Sequence, residues 1–391
     1  MNNRLQENAR VTRRVIAVGA AVALVLCAHA ASAAAPTPEQ AKRMFDRITG
    51  VPPTQAQIDQ MVAAGDSVQA ALTIAAEDPN FYSVTLKNFV TPWTNRDQTV
   101  FAPLNDYTAT VIGMVRDDVP FNTALSADLL YTVNSSGLPA VSASNNDHYE
   151  QAEIKGVDLK AALVATTQSA AYGTPTAGTA GLITTRAASS AFFIAGTNRA
   201  MFRFTMVNHM CRDMEQLHDT TRPPDRIRQD VARSPGGDSR IFLNNCIGCH
   251  SGMDPMAQAF AYYNYDDVAG KLVYTPGTVQ PKYFINSDNF KPGFITPNDN
   301  WENRWHHGQN AIYGWPAGAG TGAGAKSLGD EIANSSGFAT CQVEKVWKAV
   351  CFRAPALNAA DRAAVGTIAT NFRNNGYKLK NVFAEVAAAC E

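Results

Sequence analysis

The most constraining feature of this 391-residue chain is the segment NNCIGCHSGMDP, residues 244–255. It places Cys246 and Cys249 three residues apart, with His250 directly after the second cysteine. C-x-x-C-H is the attachment motif for a c-type haem, in which both thiols bond to the haem vinyl groups and the histidine ligates the iron. We therefore predict a helical turn that carries one covalently attached haem c, bound by Cys246, Cys249 and His250.

Two other sites use closely spaced cysteines. A structural zinc site needs a second pair of ligands, and the sequence has no further C-x-x-C or H-x-x-x-H. A thioredoxin-like dithiol is the stronger alternative, but the βαβ context of such a motif is missing. The histidine directly after Cys249 favours haem over both.

The N-terminus has the pattern of a secretory signal peptide. Four arginines precede an apolar run over residues 15–26, and the small-residue stretch AHAASAAAP follows. The run is too short for a comfortable transmembrane span, so we predict a signal peptide over residues 1–33 and no membrane span in the mature protein. The expected location is the periplasm or the extracellular space.

Charge narrows the classes of partner. The chain has 33 basic and 34 acidic side chains, of which four and one lie in residues 1–33, so the mature protein has a formal net charge of about −4. It carries no polybasic segment of the kind that binds nucleic acid or anionic lipid. We expect a redox partner protein and no nucleic acid partner. The sequence does not indicate an oligomeric state.

Four cysteines outside the motif are expected to form disulfides in an oxidising compartment: Cys211, Cys341, Cys351 and Cys390. In a continuous helix, Cys341 and Cys351 would lie about 15 Å apart along the axis, beyond the roughly 7 Å that a disulfide allows. Two pairings remain. An up-down-up arrangement of three C-terminal helices brings Cys351 and Cys390 to the same side, so we predict the pairs Cys351–Cys390 and Cys211–Cys341.

Apolar periodicity predicts a mainly α, multi-helix fold with long irregular loops and a C-terminal three-helix unit. Two short helices are expected between Pro38 and Ala64, with Thr54 as an N-cap, and another from Ala200 to about Leu217. After the signal peptide the predicted division is a helical domain at 34–131, a loop-rich connection at 132–199, a haem c domain at 200–336 and a helical domain at 337–391.

The sixth iron ligand is less defined by the sequence. No methionine follows Met256, which lies too close to His250 to reach the opposite haem face, so the downstream candidates are His306 and His307. Upstream candidates at helical spacing, which also fit core packing, are Met206, His209, Met210 and Met214. A sixth position without a protein ligand is the other alternative.

Two further residues near the motif have candidate roles. Arg233 could bind a haem propionate, because guanidinium groups pair well with carboxylates, or it could be a solvated surface arginine. Asp254, followed by Pro255, is expected to turn the chain after the haem-binding helix rather than to act as a catalytic carboxylate.

Several segments resemble the planctomycete-type cytochrome c family. FDRITGVPPTQAQIDQMV resembles its RLTGxPPT element, and DDVPFNTALSADLLY resembles the PFDxFxxxxLAxDLL passage. CIGCHSGMDPMAQAFAYYNYD resembles the haem segment CxxCHxxxDPxGxAxExFD, and LGDEIANSSGFATCQVEKVWKAVCFRAP resembles the closing helical domain. The family usually has glycine where Ala257 or Gln258 stands here. The resemblance implies a helical haem domain and exported redox work, without an assigned reaction.

Three functions are compatible with these patterns. The favoured one is an exported monohaem cytochrome that transfers electrons, alone or as the redox subunit of a larger oxidoreductase, with His306 or His307 as the distal ligand. The second is a haem enzyme of peroxidase or oxygenase type with an open sixth position, where His307 or Gln309 would handle protons. The third is a surface binding or scaffold protein in which the haem is accessory.

Overall fold

The computed structural model describes residues 34–194, 196–284 and 293–390. The predicted signal peptide, residues 1–33, lies outside the described residues. About 55% of the structure is helix and 7% is strand, which confirms the mainly α prediction. Within these ranges, the helices are all too short or too polar to cross a bilayer.

The α-helices, in chain order, are α1 (Pro38–Thr49), α2 (Gln55–Ala63), α3 (Ser67–Ala70), α4 (Lys87–Val90), α5 (Asp106–Arg116), α6 (Asp147–Ile154), α7 (Leu159–Ala162), α8 (Gln168–Tyr172), α9 (Arg186–Phe192), α10 (Arg199–Met210), α11 (Ser239–Ile241), α12 (Ile247–Ala257), α13 (Gly324–Ala333), α14 (Ser336–Cys351), α15 (Ala359–Asn374) and α16 (Leu379–Ala389). The π-helical segments are Ala71–Ala75, Phe81–Leu86 and Phe242–Cys246. The 3₁₀ segments are Thr91–Thr94, Phe121–Thr123, Thr176–Gly178, Gly181–Thr184, Pro235–Gly237, Gln258–Phe260, Pro281–Phe284, Arg304–His306 and Gln309–Tyr313.

The strands form three separate two-stranded antiparallel ribbons. They are β1 (Leu130–Val133) with β2 (Leu163–Thr166), β3 (Tyr263–Asp266) with β4 (Lys271–Tyr274), and β5 (Asn300–Glu302) with β6 (Thr321–Ala323). Leu130 is opposite Thr166, Tyr263 opposite Tyr274, and Asn300 opposite Ala323.

Reciprocal capping starts the first two helices. The side chain of Thr37 accepts from the backbone of Gln40, and Thr54 accepts from the backbone of Gln57. In each case the glutamine side chain returns a bond to the backbone of the threonine, so two otherwise unpaired N–H groups are satisfied. The predicted N-cap at Thr54 is confirmed.

The C-terminal segment forms the three predicted helices, α14, α15 and α16, which pack on one another. Helix α16 also packs against α1, α3 and the π-helical segment 71–75. The ring of Phe383 lies edge-to-face against Phe81 and Phe89, with ring centroids 5.0 and 5.2 Å apart. One contiguous cluster of buried apolar residues extends from Ala41 to Cys390, so the two ends of the described chain share a core.

Both predicted disulfides are confirmed. The Cα atoms of Cys211 and Cys341 are 5.3 Å apart, and those of Cys351 and Cys390 are 5.6 Å apart. The first bond joins the end of α10 to α14, and the second joins the end of α14 to the end of α16. Since both bonds need an oxidising environment to persist, their presence fits an exported protein.

The helix predicted from Ala200 to about Leu217 is shorter than expected. Helix α10 ends at Met210, and Cys211 takes a left-handed conformation with φ of 55°. The apolar spacing of Met214 and Leu217 continues the helical pattern, but the chain turns at Cys211, where the disulfide begins. Residues 213–219 run instead as a loop that crosses α12.

Candidate haem attachment site

The motif lies in a long helical stretch with an irregular turn beside the first cysteine. Segments of α, π, α and 3₁₀ geometry follow one another without a break from Ser239 to Phe260. The side chain of Asp238 caps the start by accepting from the backbone of Arg240. The π-helical turn ends at Cys246, and single π turns within α-helices are frequent at functional sites. The helix packs against α10, β5 and the turn at 304–306.

Cys246 and Cys249 are the free cysteines among the described residues, and both are partly exposed. Together with His250 they form no cluster with a further histidine, cysteine or carboxylate that could hold a metal ion within the described ranges. The Cys249 thiol donates to the backbone oxygen of Met214 at 3.3 Å. Burial, followed by the charge of Glu215, raises the pKa of Cys249.

Apolar side chains surround the first cysteine. A small buried cluster packs against Cys246 and Ile247, and its members are Ile227, Val231 and Phe242. On the preceding turn, the side chains of Ile241 and Leu243 are 40% and 54% exposed. The thiols therefore lie beside an apolar surface. A haem, which is flat and largely hydrophobic, would need such surroundings.

His250 is held by a carboxylate one helical turn further along. Its Nδ1 atom lies 3.1 Å from Oδ1 of Asp254, within hydrogen-bond distance. Residues four apart share one face of a helix, so Cys246, His250 and Asp254 follow one another along that face. Because Nδ1 is engaged, Nε2 is the nitrogen left for a metal ion. The donor set and its orientation fit a c-type haem.

Asp254 is completely buried and is the centre of an ion-pair network. Arg199 donates to it through Nε at 2.9 Å and Nη2 at 3.0 Å, and the backbone N–H of Arg228 donates at 3.3 Å. Burial alone would raise the pKa of Asp254, but the charges of Arg199 and Arg228 and the bond from His250 hold it well below its usual range. Asp254 is therefore a carboxylate that stays ionised without contact with water.

Asp230 completes this network on the far side of Arg199. It accepts from Nη1 and Nη2 of Arg199 at 2.5 and 2.9 Å. The guanidinium of Arg228 is 2% exposed, lies 4.9 Å from the ring of Tyr283 and donates to the side chain of Thr197 at 2.7 Å. Two arginines thus face two aspartates, and buried charges are tolerated when they are paired in this way.

The opposite face of the helix is in close contact with the rest of the protein at two glycines. A Cβ atom on Gly248 would lie 2.4 Å from the ring of His218, and one on Gly252 would lie 2.2 Å from Nε1 of Trp305. The backbone N–H of Asp219 also donates to the oxygen of Gly248 at 3.0 Å. Glycine at 248, between the two cysteines, lets the loop at 213–219 lie directly on the motif.

The two candidate distal histidines lie in different environments. His306 Nε2 is 2.6 Å from Oε1 of Glu331, and its ring stacks near Trp315 at a centroid distance of 6.3 Å. His307 is exposed. Both histidines line a surface cavity of about 700 Å³, together with Arg222 and Arg304. Cys246, Cys249 and His250 are not among the residues that line it. Gln309, the other polar residue considered, donates to the backbone oxygen of His218.

Arg233 is close to the network but is engaged with backbone. It donates to the oxygens of Val231 at 2.5 Å and Ile227 at 2.9 Å, and its guanidinium lies 4.9 Å from the ring of Phe242. These bonds hold the loop at 227–231 against the turn before the motif. A role in binding propionate, as predicted, would require Arg233 to give up part of this arrangement.

The network around His250 is not among the features predicted from the sequence. Asp254 was expected only to turn the chain, whereas α12 continues through it to Ala257. The i, i+4 spacing of His250 and Asp254 could have indicated the bond. The partners Arg199, Arg228 and Asp230 come from distant parts of the chain and have no comparable signal.

Comparisons with family models, curated proteins and solved structures find no match to this chain.

Proposed function

We propose that this protein is an exported monohaem c-type cytochrome that transfers electrons, alone or as the redox subunit of a larger oxidoreductase. The observation that carries the proposal is the state of the six mature cysteines. Four of them pair in two disulfides, while Cys246 and Cys249 remain free beside a histidine whose Nδ1 is already oriented. In an oxidising compartment, two free thiols at this spacing require a chemical role.

Each residue of the motif would have a separate role. The two thiols would form thioether bonds, and His250 would ligate the iron through Nε2. A bound haem would supply a reversible one-electron couple, which is the chemistry that electron transfer needs. No general acid or base is needed. Because Cys246, Cys249 and His250 are all partly exposed, one edge of the site is accessible to a redox partner protein.

The compartment and the family are part of the same proposal. The signal-peptide pattern at residues 1–33 and the two disulfides support export to the periplasm or the extracellular space. The resemblance to the planctomycete-type cytochrome c family agrees with the helical surroundings of the motif. It contributes no assigned reaction.

A second candidate is a haem enzyme of peroxidase or oxygenase type. The observation that favours it is the pairing of His306 with Glu331 at 2.6 Å, which occupies one of the two predicted distal ligands. If His307 also stays in solvent, the sixth position would be open to a small substrate. Addition of carbon monoxide to the reduced protein distinguishes the two candidates.

The proposal is tested by the mass of the exported chain. Expressed in a host that exports and matures c-type cytochromes, the wild-type protein should carry the mass of one haem that denaturation does not remove. A Cys246→Ala, Cys249→Ala double variant should lose that mass. A His250→Ala variant keeps both thiols and serves as the matched control for the iron ligand. Wild-type protein without bound haem in a host that matures its own cytochromes would refute the proposal.

A further inference from the structure

The bond between His250 and Asp254 bears on more than orientation. A metal-binding histidine that donates its second N–H to a carboxylate becomes a stronger electron donor to the metal. Here the acceptor, Asp254, is completely buried, lies 3.1 Å from Nδ1, and forms a two-bond ion pair with the guanidinium of Arg199. Because the Asp254 side chain is buried, solvent does little to screen its effect on the imidazole.

We infer that Asp254 is a positioning residue that sets the donor strength of His250 and thereby lowers the reduction potential of the haem. The inference rests on the proposed function, since it presupposes a haem on His250. A stronger imidazole donor stabilises the ferric state over the ferrous state. The protein would therefore hold its electron less tightly than one whose proximal histidine donates to a neutral carbonyl.

The surrounding arginines hold Asp254 in one orientation. Oδ1 accepts from Arg199 Nε and from His250, while Oδ2 accepts from Arg199 Nη2 and the backbone of Arg228. With both oxygens bonded, the carboxylate has no freedom to turn away from His250. The positive charges also draw electron density from Asp254, so they limit how strongly it accepts from the imidazole.

Asp230 provides a matched control. It bonds to the same arginine, at 2.5 and 2.9 Å, and carries the same charge. Asp230 accepts hydrogen bonds from Arg199 and, at 3.3 Å, from the hydroxyl of Thr197, whereas His250 donates to Asp254. Removing the charge of Asp230 therefore changes the electrostatic field of the network and leaves the bond to His250 in place. Removing the charge of Asp254 changes both.

The experiment compares holoprotein of wild type, Asp254→Asn and Asp230→Asn by redox titration. We expect Asp254→Asn to raise the potential above that of Asp230→Asn by at least a tenfold change in the oxidised-to-reduced ratio, which is about 59 mV for one electron. Equal shifts in the two variants would overturn the inference, because they would show a field effect alone. Such a result would leave the proposed function intact, whereas a wild-type protein without haem would overturn both.

A measurement on the wild-type protein covers the case in which Asp254→Asn does not accumulate. In reduced holoprotein with ¹⁵N-labelled histidine, the Nδ1 proton of His250 should give a resolved resonance in slow exchange with solvent at neutral pH. Asp230→Asn should keep this resonance. A His250 Nδ1 proton that exchanges too fast to be observed in wild type would show that the bond to Asp254 is not maintained, and the inference would fail.

Discussion

Arg199, at the start of α10, and Asp254, in α12, form a two-bond ion pair, with Nε 2.9 Å from Oδ1 and Nη2 3.0 Å from Oδ2. The Asp254 side chain is fully buried. Because removal of one partner leaves a buried charge uncompensated, we expect Asp254→Ala to lower the free energy of unfolding by about 3–5 kcal/mol. Urea denaturation followed by circular dichroism measures this.

The same helix provides the control for that prediction. Arg203 pairs with Asp213 at 2.5 Å, but their side chains are 50% and 38% exposed. Exposed pairs contribute about 0.2–1 kcal/mol, so Asp213→Ala should have a small effect. Equal losses of stability in the two variants would contradict the central position of Asp254 in the network.

The two disulfides should contribute to stability according to the length of chain that they close. They join residues 130 and 39 positions apart. In the chain-entropy model these separations correspond to about 5 and about 4 kcal/mol. We expect a Cys211→Ala, Cys341→Ala variant to be less stable than a Cys351→Ala, Cys390→Ala variant. Peptide mapping of the unreduced wild-type protein checks the pairing, and any bond from these cysteines to Cys246 or Cys249 would contradict it.

His209 should make stability fall in acid. It is buried, its Nε2 lies 2.9 Å from the hydroxyl of Tyr107, and burial and the charge of Lys345 hold its pKa well below 6.5. The folded protein keeps His209 neutral, while the unfolded chain binds a proton below pH 6.5. The contribution of neutral His209 to the free energy of unfolding is therefore fully present above pH 6.5. Below that pH it is lost by about 1.4 kcal/mol per pH unit.

A His209→Gln variant isolates this effect, because glutamine does not titrate. The difference in unfolding free energy between wild type and the variant should be constant above pH 7 and should change in favour of the variant below pH 6. Urea titrations at several pH values between 5 and 8 measure it. Parallel stability curves for the two proteins would show that the folded protein protonates His209 as readily as the unfolded chain does.

The distal ligand can be assigned by comparing the two adjacent histidines. His306 is held by Glu331 at 2.6 Å, whereas the ring of His307 is exposed and lacks a hydrogen-bond partner among the described residues. We therefore expect His307→Ala to make the reduced protein bind carbon monoxide promptly, and His306→Ala to leave the haem spectrum unchanged. Prompt binding by the wild-type protein would favour the enzyme candidate instead.

The features predicted from sequence are those with local causes. The N-cap at Thr54 and the three C-terminal helices follow from side-chain spacing. The disulfide pairing follows from helix length and the order of the helices. The end of α10 is not evident from sequence, because the apolar spacing continues past Met210. The left-handed turn occurs at Cys211, whose disulfide partner is 130 residues away.

The motif itself was evident from sequence, but its environment was not. Cys246, Cys249 and His250 lie within five consecutive residues, so their spacing is visible in the sequence itself. The carboxylate beside His250 stays ionised only because Arg199 and Arg228 converge on it from other segments. Likewise, the engagement of His306 by Glu331 depends on where α13 packs, which no spacing in the sequence specifies.

The absorption spectrum of the exported protein shows whether Cys246 and Cys249 carry a single covalent haem. The oxidised and reduced spectra should be those of a c-type haem, and a pyridine haemochrome assay should give one haem per chain. A protein with no haem absorbance, in which Cys246 and Cys249 are recovered as free thiols or joined to each other, would show that the motif does not attach a haem.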